Sequence, residues 1–168
     1  MSTLKVNEIQ DTSGVVRRGI QTYAIICDQK AQNTAGGTAT SGAWRTRDLN
    51  TEIADPDGIV SIASNQFTLG AGNYIIEATM PIYSVNDYGT RLYNVTSSTV
   101  AQHGQSGYAR ADSNVMNFPS LVARVAITGN TTFEIQQRVN TTSTTYGFGV
   151  QGNFGTEVYL IVKIFKEA

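Results

Sequence analysis

Apolar side chains recur at every second residue through much of this chain, which is the period of a β-strand and not of a helix. Tyr74, Ile76, Ala78, Met80 and Ile82 alternate with Asn73, Ile75, Glu77, Thr79 and Pro81. Leu121, Ala123, Val125 and Ile127 repeat the pattern at odd positions, and Phe133, Ile135 and Val139 continue it beyond Gly129-Asn130. That shared parity predicts a hairpin with an odd loop, Gly129-Asn130-Thr131, or a bulge beside it. A two-residue loop would instead set Ile127 opposite Thr132. The last segment goes further. Val158, Leu160, Val162 and Ile164 fill one face, while Tyr159, Ile161 and Phe165 occupy much of the other. A strand apolar on both faces must be covered twice. An opposing sheet is one cover; the second is either a loop or a neighbouring subunit.

Residue usage agrees with the period. Ile and Val together number 28 against 6 Leu, with 21 Thr. Branched Cβ atoms suit a pleated surface and disfavour a helical bundle. The remaining punctuation is that of short strands between turns. Strands are expected at residues 20–27, 44–49 and 59–62, with a Gly/Thr/Ser-rich loop at 33–42. Asp55-Pro56-Asp57-Gly58 reads as a turn, because Pro presets φ and Gly accepts φ > 0. The expected architecture is an all-β antiparallel sandwich or barrel over residues 20–168. Residues 1–19 form a separate polar extension, in which Leu4, Val6 and Ile9 are spaced as a short strand or single turn ahead of the Asp11-Thr12-Ser13-Gly14 turn signal.

Several chemistries are disfavoured. Charged residues are 15% of the chain, against a usual ~25%, and 12 basic and 13 acidic residues leave a net charge of -1. No basic surplus exists to neutralise phosphates, so nucleic acid is not an expected partner. One His and one Cys cannot build a Cys/His zinc site or an intrachain disulfide. No apolar run reaches the ~18 residues of a membrane helix, and the first residues lack a signal-peptide core. Synthesis in a reducing cytosol is the expectation. Gly147-Phe148-Gly149-Val150-Gln151-Gly152 matches a dinucleotide fingerprint without the strand before it and helix after it that would meet a pyrophosphate. Asp55 and Asp57 lack the further ligands of a calcium loop. His103 has no nucleophile elbow nearby, and no carboxylate pair has a glycosidase-like spacing. No cofactor, metal or catalytic residue is assigned. Cys27 reads as a buried, inert thiol. What remains is surface chemistry. Trp44, His103, Tyr83, Tyr88, Tyr93 and Tyr108 lie in long polar segments, where flat amphipathic rings suit stacking and hydrogen bonding to a sugar or protein.

The opening, Met1 to Gly14, resembles that of many bacteriophage tail-fibre and virion structural proteins. The body resembles the C-terminal domain of phage tail fibres at Arg47-Asp-Leu-Asn-Thr51, Asn65-Gln-Phe-Thr-Leu69, Ala71-Gly-Asn-Tyr-Ile-Ile-Glu-Ala78, Arg91-Leu-Tyr-Asn-Val-Thr96, Phe133-Glu-Ile-Gln136, Tyr146-Gly-Phe-Gly-Val150 and Asn153-Phe-Gly-Thr-Glu-Val-Tyr159. It departs at Gln137, where such domains often carry His. The resemblance implies a TNF-like, complement-type jelly roll that forms a homotrimer. The chain is then expected to be a non-enzymatic virion protein, a short tail fibre or receptor-binding head attached to other virion proteins through Leu4, Val6 and Ile9. Tyr159, Ile161 and Phe165 are the candidate trimer contacts. Tyr83, Tyr88 and Tyr93 are the candidate surface for a host glycan or protein. Capsid decoration is the alternative, since no shaft is present, and a polysaccharide-active enzyme is a lesser one.

Overall fold

The computed structural model describes residues 22–167. Leu4, Val6 and Ile9 lie outside them. Every regular element among the described residues is a strand. In chain order these are β1 (Tyr23–Lys30), β2 (Arg45–Thr46), β3 (Thr51–Ala54), β4 (Val60–Ala63), β5 (Gln66–Leu69), β6 (Gly72–Thr79), β7 (Ile82–Tyr83), β8 (Asn86–Asn94), β9 (Thr99–His103), β10 (Gly107–Ala109), β11 (Met116–Asn117), β12 (Ser120–Ile127), β13 (Thr131–Val139) and β14 (Glu157–Lys166). One sheet runs β12-β6-β14-β1-β3. The other runs β10-β8-β13-β5-β4, with β2 on β13 and β9 on β8. β7 and β11 pair separately. All the strand pairings are antiparallel.

The alternation is therefore real, but the expected hairpin is not. β12 pairs with β6 and β13 with β5 and β8, so the chain crosses from one sheet to the other at residues 128–130. Leu121, Ala123 and Val125 face Phe133 and Ile135 across the core. Two strands that look inward from opposite sheets show the same parity as two strands side by side, because parity records only which face is buried. Residues 44–49 yield only the two-residue β2, since Arg47 and Leu49 turn into the interior. The Asp55 turn forms as expected. Its carboxylate accepts the N–H groups of Ile59 and Val60, both at 2.9 Å, and Gly58 takes φ of 63°.

Between the sheets, Ile26, Leu69, Tyr74, Ile76, Leu160, Val162 and Ile164 join a single apolar cluster. Phe67 and Phe133, directly paired, stack at 5.8 Å between centroids. A smaller cluster of Ala39, Ile82, Val85, Tyr88, Val139 and Phe148 fills one end. Where the two meet lies Arg47, fully buried. One terminal nitrogen, Nη1, donates to the carbonyl of Pro81 at 3.0 Å and to Gln137 Oε1 at 2.8 Å; Nη2 donates to the carbonyl of Phe148 at 2.9 Å. The guanidinium carbon lies 4.3 Å from the centre of the Phe148 ring. Desolvation lowers the Arg47 pKa to about 10, opposed by the charges of Asp28 and Asp48. It remains a cation at neutral pH. The rest of the Arg47-Asp-Leu-Asn-Thr51 stretch has equally local work. Asp48 takes a 2.6 Å ion pair from Lys30, Leu49 enters the core, and Asn50 Oδ1 accepts the N–H of Gln29.

Removing a donor that serves buried neutral acceptors leaves them desolvated and unpaired, at a cost of about 1–3 kcal/mol for each such group. Arg47→Met is predicted to lower unfolding stability by at least that amount in urea denaturation, with Arg47→Lys only partly restoring it because an ammonium cannot span the three acceptors. A midpoint unchanged in Arg47→Met would refute this role.

Candidate functional site

The register gives the sandwich two distinct ends. Tyr23 pairs with Phe165, the N–H of Lys166 bonds the carbonyl of Thr22, and that of Glu167 bonds Asn73, so the chain enters and leaves at one end. Lys30 pairs with Glu157 and Ser120 with Thr79 at the other. Val139 pairs with Tyr88 and Gly107 also pairs with Tyr88 at that same far end.

The far end is built of loops held by backbone and side chain alike. Residues 36–39 and 143–149 are laced by the bonds Gly36 N–H to Gly149, Ala39 N–H to Ser143 and Phe148 N–H to Gly37. A side chain at Gly149, where φ is +134°, would overlap the Tyr159 ring. Gly147 and Gly149 of the fingerprint-like stretch thus serve close packing of loops. Thr145, a β-branched residue, is held at φ of 67°, with its N–H on Thr38 Oγ1 and its carbonyl accepting from Gly37. Such a conformation persists only where neighbours over-determine it. Glu157 closes the next loop by accepting the N–H groups of Gly152 at 2.9 Å and Asn153 at 2.8 Å. Those bonds hold its carboxyl below the usual range, and they display Phe154 fully to solvent. Phe118, Tyr108 and Tyr146 are further exposed rings at this end.

Beside these loops, on the outer face of the seven-stranded sheet, lies an open groove of about 590 Å³. Trp44, Gly89, Asp87, Arg138 and Asn140 line it, with Ser41 at its rim. Asn140 donates to Asp87 Oδ2 at 3.1 Å. Arg91 stands 4.1 Å from the centre of Trp44 and 4.8 Å from that of Tyr93, and its Nε donates to Gln136 Oε1 at 2.6 Å. Gln136 in turn bonds Glu134, which also accepts from Gln66 at 2.9 Å. Cation–π stacking on both sides thus fixes Arg91 and, through it, the indole.

The residues expected to make one surface are dispersed. Tyr88 faces the interior and Tyr93 the outside of β8, as strand alternation requires of positions five apart. Tyr83 bonds Asn114 at 2.7 Å and meets Tyr146 edge-on at 6.2 Å. The three tyrosines do not form a common patch. Of the last-strand residues, Ile161 and Phe165 point out of the five-stranded sheet, in register with Cys27 and Tyr23. Tyr159 does not join them. A bulge sets Tyr159 and Leu160 against the single residue Asp28, which flips the parity, so both are buried and Val158 is exposed. Tyr159 is only 6% exposed, and its hydroxyl donates to the carbonyl of Thr34 at 2.6 Å. Burial, then the charges of Glu157 and Asp28, push its pKa up to about 12. Of the two covers open for this strand, a loop of the same chain supplies the one over Tyr159. Cys27 is buried as expected, and burial raises its thiol pKa. His103 stands exposed on β9.

Asp87, Arg138 and Asn140 were not distinguished in the sequence, because three separate segments supply the groove. Trp44 and Tyr88, both among the rings expected to carry surface chemistry, are the groove residues visible in the sequence.

No protein-family model matches the chain, and no curated protein matches it by sequence. Solved structures do match. The Eiger TNF of S. frugiperda aligns with a TM-score of 0.58 at 11% identity, over 88% of this chain and 93% of that one. The globular domain of zebrafish complement 1qA aligns at 0.54 and 12% identity, covering 88% and 98%. The fold is a TNF-like jelly roll. The PRD1 vertex protein P5 has a TM-score of 0.54 at 14% identity, covering 89% of this chain and all of its own. The implied sandwich class is thereby established.

The Glu157 carboxylate is stabilised in its ionised form, so its contribution is complete above the unfolded pKa near ~4.3 and is lost as pH falls through the lower folded value. Glu157→Gln is predicted to flatten the decline of thermal midpoint below about pH 4 and to raise amide exchange at residues 152–154 at neutral pH. Identical acid profiles for the two proteins would contradict it.

Proposed function

We propose that this chain is a non-enzymatic, trimeric virion protein of a bacteriophage, a short tail fibre or receptor-binding head whose far end faces the host. The observation that carries the reading is the contrast between the two outer sheet faces. On the five-stranded sheet, Tyr23, Phe165 and Ile75 form one cross-strand row. Ile161, paired with the buried Cys27, stands in a third row, and Val122 stands beside Glu77 and Lys163 in the row between. Ile161 is 37% and Val122 60% exposed. The seven-stranded sheet instead presents Asp87, Arg91 and Arg138 on its outer side, with Glu134 and Gln136 buried beneath Arg91 and Gln66. Apolar surface of this kind, rimmed by polar residues, marks an interface. Within it Lys163 lies in register with Glu77, placing opposite charges side by side.

Copies of the chain cover the apolar face, with Ile161 and Phe165 among the contacts; Tyr159 is left out because its own subunit already encloses it. The polarity of the domain supports the rest. Residues preceding Thr22 join at one end, where Leu4, Val6 and Ile9 would attach to other virion proteins. The exposed rings and the groove lie at the opposite end. Three copies of a weak site on one rigid head raise avidity without tight single contacts. The likeness to a vertex protein favours a second reading, decoration of the capsid, with the same trimer and the same attached end.

Light scattering of the whole chain at micromolar concentration is expected to give three times the monomer mass, and Ile161→Glu with Phe165→Glu to give a folded monomer. A monomeric wild type would defeat the assembly reading. Electron microscopy of labelled particles is expected to find the protein on the tail; signal on the head alone would replace the tail reading by the capsid one.

A further inference from the structure

We propose that the groove between Trp44 and the Asp87–Asn140 pair binds a neutral saccharide. The inference rests on the reading of the far end as an outward surface and names what that end takes. Three features carry it.

The first is a preformed flat wall. Trp44 is clamped by Arg91, itself held by Gln136 and the Tyr93 ring, so its position costs little ordering when a ligand arrives. Gly89 forms the adjoining floor. A Cβ there would lie 3.5 Å from the far carbon of the indole, and any longer side chain would grow into the space that a sugar ring needs. A pyranose presents a C–H face to an aromatic ring and hydroxyls around its edge.

The second is the chemistry of the rim. A hydroxyl both donates and accepts, and adjacent hydroxyls need both kinds of partner. Asp87 only accepts, Arg138 only donates and Asn140 does each. The Asp87–Asn140 pair is fixed twice, through the side-chain bond at 3.1 Å and the Asn140 N–H to Asp87 carbonyl bond at 2.9 Å. Among the lining residues one carboxylate and one guanidinium balance, so the rim carries no surplus charge to favour an ionic ligand over a neutral one.

The third is size. About 590 Å³ falls within the ~300–1,000 Å³ of small-molecule sites, and the groove is open, as it must be for a residue within a longer glycan.

Trp44 is the only tryptophan in the chain, so its fluorescence reports this groove directly. The whole protein would be titrated with the methyl glycosides of glucose, galactose, mannose and N-acetylglucosamine, and in parallel with glucuronic and sialic acids. At least one neutral glycoside should give a saturable change. Asp87→Ala and Asn140→Ala should each weaken it about tenfold, the effect of losing one good hydrogen bond, with circular dichroism and oligomeric state unchanged. No saturable change with any neutral glycoside up to about 100 mM, where even a ~1 mM site would be filled, would overturn the proposal. Saturation by the acidic sugars alone would do the same, as would affinity unaltered in the Asp87→Ala, Asn140→Ala double variant. These readouts do not depend on assembly or virion position, so particle images that put the far end against the virion would sink the outward reading while the groove result stands or falls separately.

Discussion

The far half of this domain is organised around a cation in its interior. Arg47 donates to two main-chain carbonyls, at Pro81 and Phe148, and to Gln137. Those acceptors come from the end of the strand region before β7, from the inward face of β13 and from the loop ahead of β14. Neither carbonyl could be buried without a donor. A planar guanidinium can serve three acceptors in one plane while stacking on Phe148, which an ammonium cannot. Gln137, between Ile135 of the main core and Val139 of the smaller one, is the polar seam between two apolar clusters. The loops that carry the exposed rings therefore sit on a hydrogen-bonded base and not on apolar packing alone.

Above that base the molecule is polar in both senses of the word. One sheet carries Ile161, Val122 and Phe165 outward among the charges of Glu77, Lys163 and Arg124, the other carries Asp87, Arg91 and Arg138 outward, and the chain enters at the end opposite to its most decorated loops. Each feature has a separate physical cause: strand alternation for the faces, antiparallel register for the ends, and side-chain caps such as Glu157 for the loops. Together they give the domain two unlike sheet faces and two unlike ends.

The reading of particular residues shows where sequence sufficed. Alternation around Tyr74 to Ile82 and around Leu121 to Val139 marked inward positions correctly, because burial is a local choice between two faces. The same alternation suggested a hairpin at Gly129-Asn130 that does not exist, because it carries no record of which strand lies alongside. Tyr88 and Tyr93 could have been separated in advance, being an odd number of residues apart on one strand. Tyr159 could not, since a single bulge against Asp28 reverses its direction and nothing in the residues 157–166 announces it. Arg47 stood among the resembling stretches, yet an arginine in a polar segment reads as solvated until its acceptors are seen.

From composition and period alone follow the β class, the inward positions and the turn at Asp55, all of which depend on neighbours a few residues away. The pairing of β12 with β6 and not β13, the burial of Arg47 and Tyr159, and the meeting of Trp44 with Asp87 and Asn140 required the folded chain. Their partners lie tens of residues apart, and only register, bulges and sheet crossing bring them within hydrogen-bonding reach.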